Sequence, residues 1–246
     1  MNPIISDAWI YFEKDLTSPL VHPTIERAAV QLFVRKRDLR PKLGAYLHRF
    51  SFLLVAMDTH LQLLNLTVSD LVKAAPMMPP PGSKVVESGI LGRSIHPTIA
   101  AINSLIGDAH SVMNFSVLVI GEAVGATNFT ASINWAAATK GKPLIRKRGG
   151  EGVHGHVQAA WIWAERLKQY RDLFEHYNPL VATIPTYTSN TVGRYDGVRI
   201  WLPTNPEARK RGSQGFQYGI DALEYCTATR ERVLKYANNL LLILAG

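Results

Sequence analysis

Apolar residues recur along most of this chain at steps of three and four, the interval that lines them up on one side of an α-helix. Leu43, Leu47, Phe50, Leu54, Met57, Leu61 and Leu64 form one such series within residues 43–73, and a shorter one occupies 25–34. Arg40-Pro41 separates the two, because proline disfavours helical geometry in the residue before it and fits the first turn of a helix that follows. Residues 76–97, with the run Met77-Met78-Pro79-Pro80-Pro81-Gly82, read as a connecting loop. Helical spacing resumes over 98–121 and again over 128–138.

The longest series covers 153–178, where Val153, Val157, Ala160, Ala164, Leu167, Arg171 and Phe174 share a stripe and Asn178-Pro179 ends it. The period then changes to two. Val198, Ile200 and Leu202 alternate with Arg199 and Trp201, so residues 197–203 predict a strand, with 180–188 as its partner and Ser189, Asn190 and Gly193 as turn residues. Pro185 points to an exposed edge for the first of these strands. A final helix over 217–244 carries Leu223, Cys226, Arg230, Val233, Ala237, Leu240 and Leu244. The pattern predicts an all-α protein: one domain over 1–246, an antiparallel helical bundle with a small β-hairpin inserted at about 180–203 before the last helix.

Composition narrows the class. The 246 residues are 47% hydrophobic and 19% charged, enough apolar side chains for a sizeable core, which excludes disordered, collagen-like and low-complexity chains. Cys226 is the one cysteine, so no internal disulfide framework or cysteine-rich zinc module exists. Residues 1–16 hold Asp7 and Glu13 within an apolar stretch and lack a basic leader segment, which predicts a cytoplasmic protein. Residues 111–139 hold Glu122 as their one ionisable side chain, yet Asn114, Asn128 and Asn134 interrupt them. A buried helix is expected there rather than a membrane span.

The chain has 27 Lys and Arg against 19 Asp and Glu, a net charge of +8. Lys140, Lys142, Arg146, Lys147 and Arg148 place five cations within nine residues of a glycine-rich segment that reads as a loop. Such a loop suits the phosphates of RNA, whose contacts supply most non-specific affinity; the alternative is a solvated loop. It is not a P-loop, since no Gly-Lys-Ser or Gly-Lys-Thr follows. His154 and His156 lie near Glu151, but a third ligand from His96, His110 or His176 stands at no metal-site spacing, so they read as solvated helix-start residues and neither metal nor cofactor is expected. No Gly-x-Ser-x-Gly or dinucleotide signature occurs. Cys226 reads as a core filler, and Tyr218, Tyr225, Tyr236, Trp161 and Trp163 as core or interface residues.

Arg171 and Arg230 interrupt apolar stripes. A guanidinium keeps its charge in a protein, so burial demands carboxylates, carbonyls or water around it. Glu175 one turn beyond Arg171, and Glu224 or Glu231 near Arg230, would serve as partners; an anionic ligand is the other explanation.

Arg171-Asp172-Leu173-Phe174-Glu175-His176 resembles the mark of the HEPN family of helical nucleotide-binding proteins and ribonucleases: an arginine, a polar residue after it, and a histidine four to six residues on. The resemblance covers about residues 98–246, with the motif on a late helix and a closing helix behind it. It implies a metal-independent endoribonuclease, often a toxin paired with an antitoxin or a part of antiviral defence, and frequently a homodimer. In that reading Arg171 grips the scissile phosphate, His176 exchanges a proton with the ribose 2′-hydroxyl or leaving oxygen, and Asp172 orients the imidazole. Arg146, Lys147, Arg148 and Arg230 are the candidate RNA-binding cations. Residues five apart on a helix point roughly 140° from one another, so Arg171 and His176 converge only if the helix loosens before Pro179 or the groups meet across a dimer.

The competing reading is a non-catalytic helical module that binds a protein partner or nucleic acid. Its support is the low-charge span 111–139 and the apolar end Leu240-Leu241-Leu242-Ile243-Leu244.

Overall fold

A computed structural model describes residues 22–36, 42–74, 88–125, 143–176, 184–189, 195–207 and 220–246. In chain order these form α1 (Pro23–Lys36), α2 (Leu43–Ala74), α3 (Ser88–Ala123), α4 (Pro143–His176), β1 (Ile184–Ser189), β2 (Tyr195–Leu202), β3 (Ile220–Asp221) and α5 (Ala222–Ala245). The protein is mostly helical, with a small antiparallel hairpin ahead of its last helix. The expected helix over 128–138 and the start of the last helix at 217 fall outside the described residues.

Local chemistry accounts for several boundaries. Pro23 opens α1 in the first turn, where its missing N–H costs nothing. His22 caps this end: its Nδ1 accepts the N–H of Thr24 at 3.2 Å, and its own N–H donates to Ser51 Oγ at 2.6 Å. The predicted stripe of α2 is buried at Leu43, Leu47, Phe50, Leu54, Met57 and Leu64.

The loop expected over 76–97 is corrected in its second half, because α3 already runs from Ser88 and takes Pro97 inside it. An interior proline removes one helical hydrogen bond and costs about 3 kcal/mol. Ile95, Thr98, Ile99, Ala101 and Ile102 are all buried around it, and packing of that extent outweighs the local preference.

The chain divides into two compact units. The first comprises Met1–Met57, Asp108–Leu167 and Arg230–Gly246. Its core centres on Tyr236 of α5. Ser116 Oγ gives its proton to the Met113 carbonyl at 2.7 Å, so the Tyr236 hydroxyl donates to Ser116 Oγ at 3.0 Å. The His156 ring stacks on Tyr236 at 4.9 Å with an 8° interplanar angle, and Trp163 meets it edge-on at 6.2 Å. At the end of α5 the Ala245 carbonyl accepts a hydrogen bond from the Arg35 guanidinium, the charge a helix C-terminus favours.

The second unit comprises Asp58–Gly107 and Lys168–Thr229 and holds the strands. β1 and β2 pair antiparallel from Ile184 opposite Trp201 to Thr188 opposite Gly197, with a bulge between Thr188 and Ser189. β3, absent from the sequence expectation, adds Ile220 and Asp221 opposite Leu202 and Trp201. Tyr170 is wholly buried; its hydroxyl donates to the Pro203 carbonyl at 2.7 Å and its ring meets Tyr225 at 4.9 Å.

By length and composition alone, Leu43–Lys73 and Ile95–Ala123 would each cross a membrane, and 28% and 56% of their most apolar windows are buried. Length and composition do not separate a membrane span from a core helix. Leu63 and Leu66 are among the exposed apolar side chains of the first of these helices.

Candidate nucleic-acid interface

The described part of the basic segment, residues 143–149, is helical rather than a loop, while Lys140 and Lys142 lie outside the described residues. Residues 143–149 form the opening turns of α4, and within that helix a break falls at Gly150, whose φ of 77° and ψ of 174° lie outside helical space. Glycine alone takes that φ without strain. Gly149 is helical and packs close to the next turn, where an added Cβ would come within 3.1 Å of Val153 Cβ and oblige that side chain to shift. Arg146, Lys147 and Arg148 are all exposed on this short helix. Arg146 Nε pairs with Glu151 Oε1 at 2.6 Å, and Arg148 reaches the Gly125 carbonyl at 3.5 Å. An ion pair with both side chains more than half exposed yields readily to a competing anion.

The motif residues lie in the last two turns of α4, within the second unit. Arg171 was expected inside the apolar stripe. The structure places Tyr170 there instead, at 0% exposure, followed by the buried Leu173 and Phe174, and leaves the Arg171 side chain 32% exposed at the edge. From Leu167 the buried series steps by three rather than four, so the position beside the expected one is buried. The same shift occurs in α5, where Thr229 is buried and Arg230 is half-buried beside it.

Arg171 has carboxylate partners on its own helix. Its Nε lies 2.6 Å from Glu175 Oε1, the pairing expected one turn on, and its NH1 donates to Asp172 Oδ1 at 3.0 Å. Lys168 Nζ approaches Asp172 Oδ2 at 3.3 Å. Partial burial pushes the Asp172 carboxyl up, but hydrogen bonds from Arg171 and Lys168, with their charges, outweigh it and hold the group below the usual carboxylate range. Asp172 therefore does not orient His176: its oxygens go to Arg171 and Lys168, while His176 is exposed at the final position of the helix. Two of the three expected catalytic residues meet; the third does not join them.

The histidine pair is also corrected. His156 is no solvated helix-start residue: it is half-buried, stacked on Tyr236, with Nε2 3.0 Å from the Tyr236 carbonyl oxygen. Among the described residues no group of three or more His, Cys, Asp or Glu side chains is placed to hold a metal ion. Cys226 is fully buried, and burial foremost, with the Asp221 charge, pushes its thiol far above the usual range, which suits a core filler.

One residue pair went unused in the sequence although its signal was present. Asp221 followed three positions later by Glu224 is the pattern of a helix start, and Asp221 Oδ1 accepts the Glu224 N–H at 3.0 Å. Comparison of the chain with protein-family models, with curated proteins and with solved structures finds no match.

Proposed function

We propose that the protein is a helical RNA-binding module that engages the phosphate backbone through Arg146, Lys147 and Arg148. The observation that carries this reading is three consecutive exposed cations on the short helix before Gly150, in the unit that holds most of the chain's net positive charge. Side chains of this kind contact phosphates without reading sequence, so affinity falls steeply with salt. Replacing all three by alanine tests it. For single-stranded RNA the slope of log affinity against log salt is about −0.7 per neutralised phosphate, so losing three contacts flattens it by about 2. An unchanged slope refutes the assignment, and a stable complex with a protein in place of RNA supports the interaction module instead.

A second reading is the HEPN-type, metal-independent endoribonuclease, working as a homodimer in a toxin or antiviral setting. It is favoured by the solvent access of Arg171 and His176 within six residues. Arg171 would exchange Glu175 for the scissile phosphate, and His176 would move the proton. Labelled single-stranded RNA in the presence of chelator distinguishes the readings: cleavage that disappears in both Arg171→Ala and His176→Ala establishes the nuclease, and RNA binding without cleavage in the wild type excludes it.

A further inference from the structure

We propose that Glu151 is a built-in competitor of the RNA phosphate at Arg146, an autoinhibitory contact within the first unit that tunes the affinity of the basic turn. The inference rests on the RNA reading. Arg146, Lys147 and Arg148 are exposed, and Arg146 donates from Nε to Glu151 Oε1 at 2.6 Å. Among the described residues Glu151 is the one carboxylate paired with these three cations. Arg148 reaches a neutral acceptor instead, the Gly125 carbonyl, at 3.5 Å.

The backbone break makes this contact possible. A regular helix pairs side chains three or four residues apart, whereas residues five apart point about 140° from one another, which would turn Glu151 away from Arg146. Gly150 stands between the two with φ 77° and ψ 174°, and the change of direction there brings the carboxylate back to the guanidinium. Ile145 and Val153, on either side of the break, are both 2% exposed. Each flank is therefore anchored in apolar surroundings, and Glu151 is held near Arg146 by the backbone rather than by the ion pair alone.

Carboxylate and phosphate compete for the same donors. A phosphate held by the remaining N–H groups of Arg146 would stand beside the Glu151 carboxylate, and like charges at that range repel. Glu151 must therefore release Arg146 as RNA arrives. The pair is exposed, at 62% and 71% of its two side chains, so its loss costs little and the contact lowers affinity by about two- to fivefold rather than blocking the site. A single small anion has only Arg146 to offset that cost, whereas successive phosphates of one strand engage Lys147 and Arg148 as well. Glu151 thus favours a polyanion over an isolated one.

The test is a double-mutant cycle on the full chain, read as affinity for labelled single-stranded RNA at low salt, with circular dichroism confirming that every variant keeps its fold. Glu151→Gln should tighten binding about two- to fivefold. In an Arg146→Ala background the same substitution should change affinity by less than about 1.5-fold, because the cation it releases is gone. Glu165→Gln, further along α4, alters net charge equally without touching Arg146, and its effect should also stay below about 1.5-fold. Unchanged affinity in Glu151→Gln, an equal gain in Glu165→Gln, or an equal gain with Arg146 absent overturns the competitor while RNA binding stands. Failure of the RNA reading has a different signature, in which the wild type and the triple alanine variant at Arg146, Lys147 and Arg148 bind RNA alike, and the competitor then falls with it.

Discussion

The first unit carries 17 Lys and Arg against 10 Asp and Glu, whereas the second carries 10 against 9. All but one of the chain's net positive charges thus belong to the first unit, which also holds the exposed Arg146, Lys147 and Arg148. The Arg171 to His176 segment belongs to the nearly neutral second unit, where Arg171 and Lys168 are already matched by Asp172 and Glu175. The exposed Arg146–Glu151 pair and the 3.5 Å contact of Arg148 with the Gly125 carbonyl yield more readily to an external polyanion than the half-buried Arg171, which two carboxylates hold within one turn. The two sets of candidate residues therefore differ in readiness to bind phosphate more than in residue type.

The largest effects should come from the core tyrosine of each unit. Tyr236→Ala in the first and Tyr170→Ala in the second each remove a fully packed aromatic ring and should cost about 3–5 kcal/mol, read by urea denaturation. Their phenylalanine counterparts should cost about 1 kcal/mol, the scale of one buried hydrogen bond. Denaturation transitions that move together in both series would show that the units unfold as one; separate transitions would show two cooperative blocks.

The charge contrast is sharpened by exchanging cations. Alanine at Arg146, Lys147 and Arg148 should lower RNA affinity more than tenfold at low salt, while Lys168→Ala should change it less than twofold in a filter-binding assay. Two glycines of α4 give a smaller and opposed pair. Gly150→Ala places a side chain at φ 77° and should destabilise by about 1 kcal/mol or more. Gly155→Ala meets nothing within 4 Å and should stabilise by about 0.5–1 kcal/mol through helix propensity.

The smallest effect belongs to the end of α4. Because the folded Asp172 carboxyl titrates below its unfolded value, its contribution is present above the unfolded pKa and is lost as pH falls through the folded one. Acid titration below about pH 4 should thus weaken the Lys168–Asp172–Arg171 cluster, seen as a loss of melting temperature that Asp172→Asn abolishes. Glu175→Gln should cost about 0.3–0.5 kcal/mol at neutral pH, as exposed pairs one turn apart do.

Much of the helical layout was legible in the chain. The Leu43-to-Leu64 series, the separation of α1 from α2 between Lys36 and Leu43, the end of α4 at His176 and the alternation at Val198, Ile200 and Leu202 all follow from near neighbours in the chain, which periodicity and local breakers report directly. The site was less legible. Placing Arg171 in the stripe assumed a step of four after Leu167, and one residue's difference put Tyr170 in the core instead. The carboxylates around Arg171 were visible as sequence neighbours, but no pattern said that Asp172 would face Arg171 and Lys168 rather than His176. Asp221 carried a readable helix-start signal, whereas the cavity of about 180 Å³ that it borders with Leu64 and Ile200 did not, since its wall joins residues more than a hundred positions apart.

By itself, then, the order of amino acids determined where the chain is helical, where it turns to strand and where its charge is concentrated, because those properties depend on spacing, turn chemistry and composition along a few residues. Only the tertiary structure decided that Pro97 lies within a helix, that α4 breaks at Gly150, that His156 lies against Tyr236, and that Asp221 borders a cavity. Each of those outcomes is the sum of contacts from distant segments, and that sum exceeds the one to three kilocalories per mole, roughly, by which local preference would have chosen otherwise.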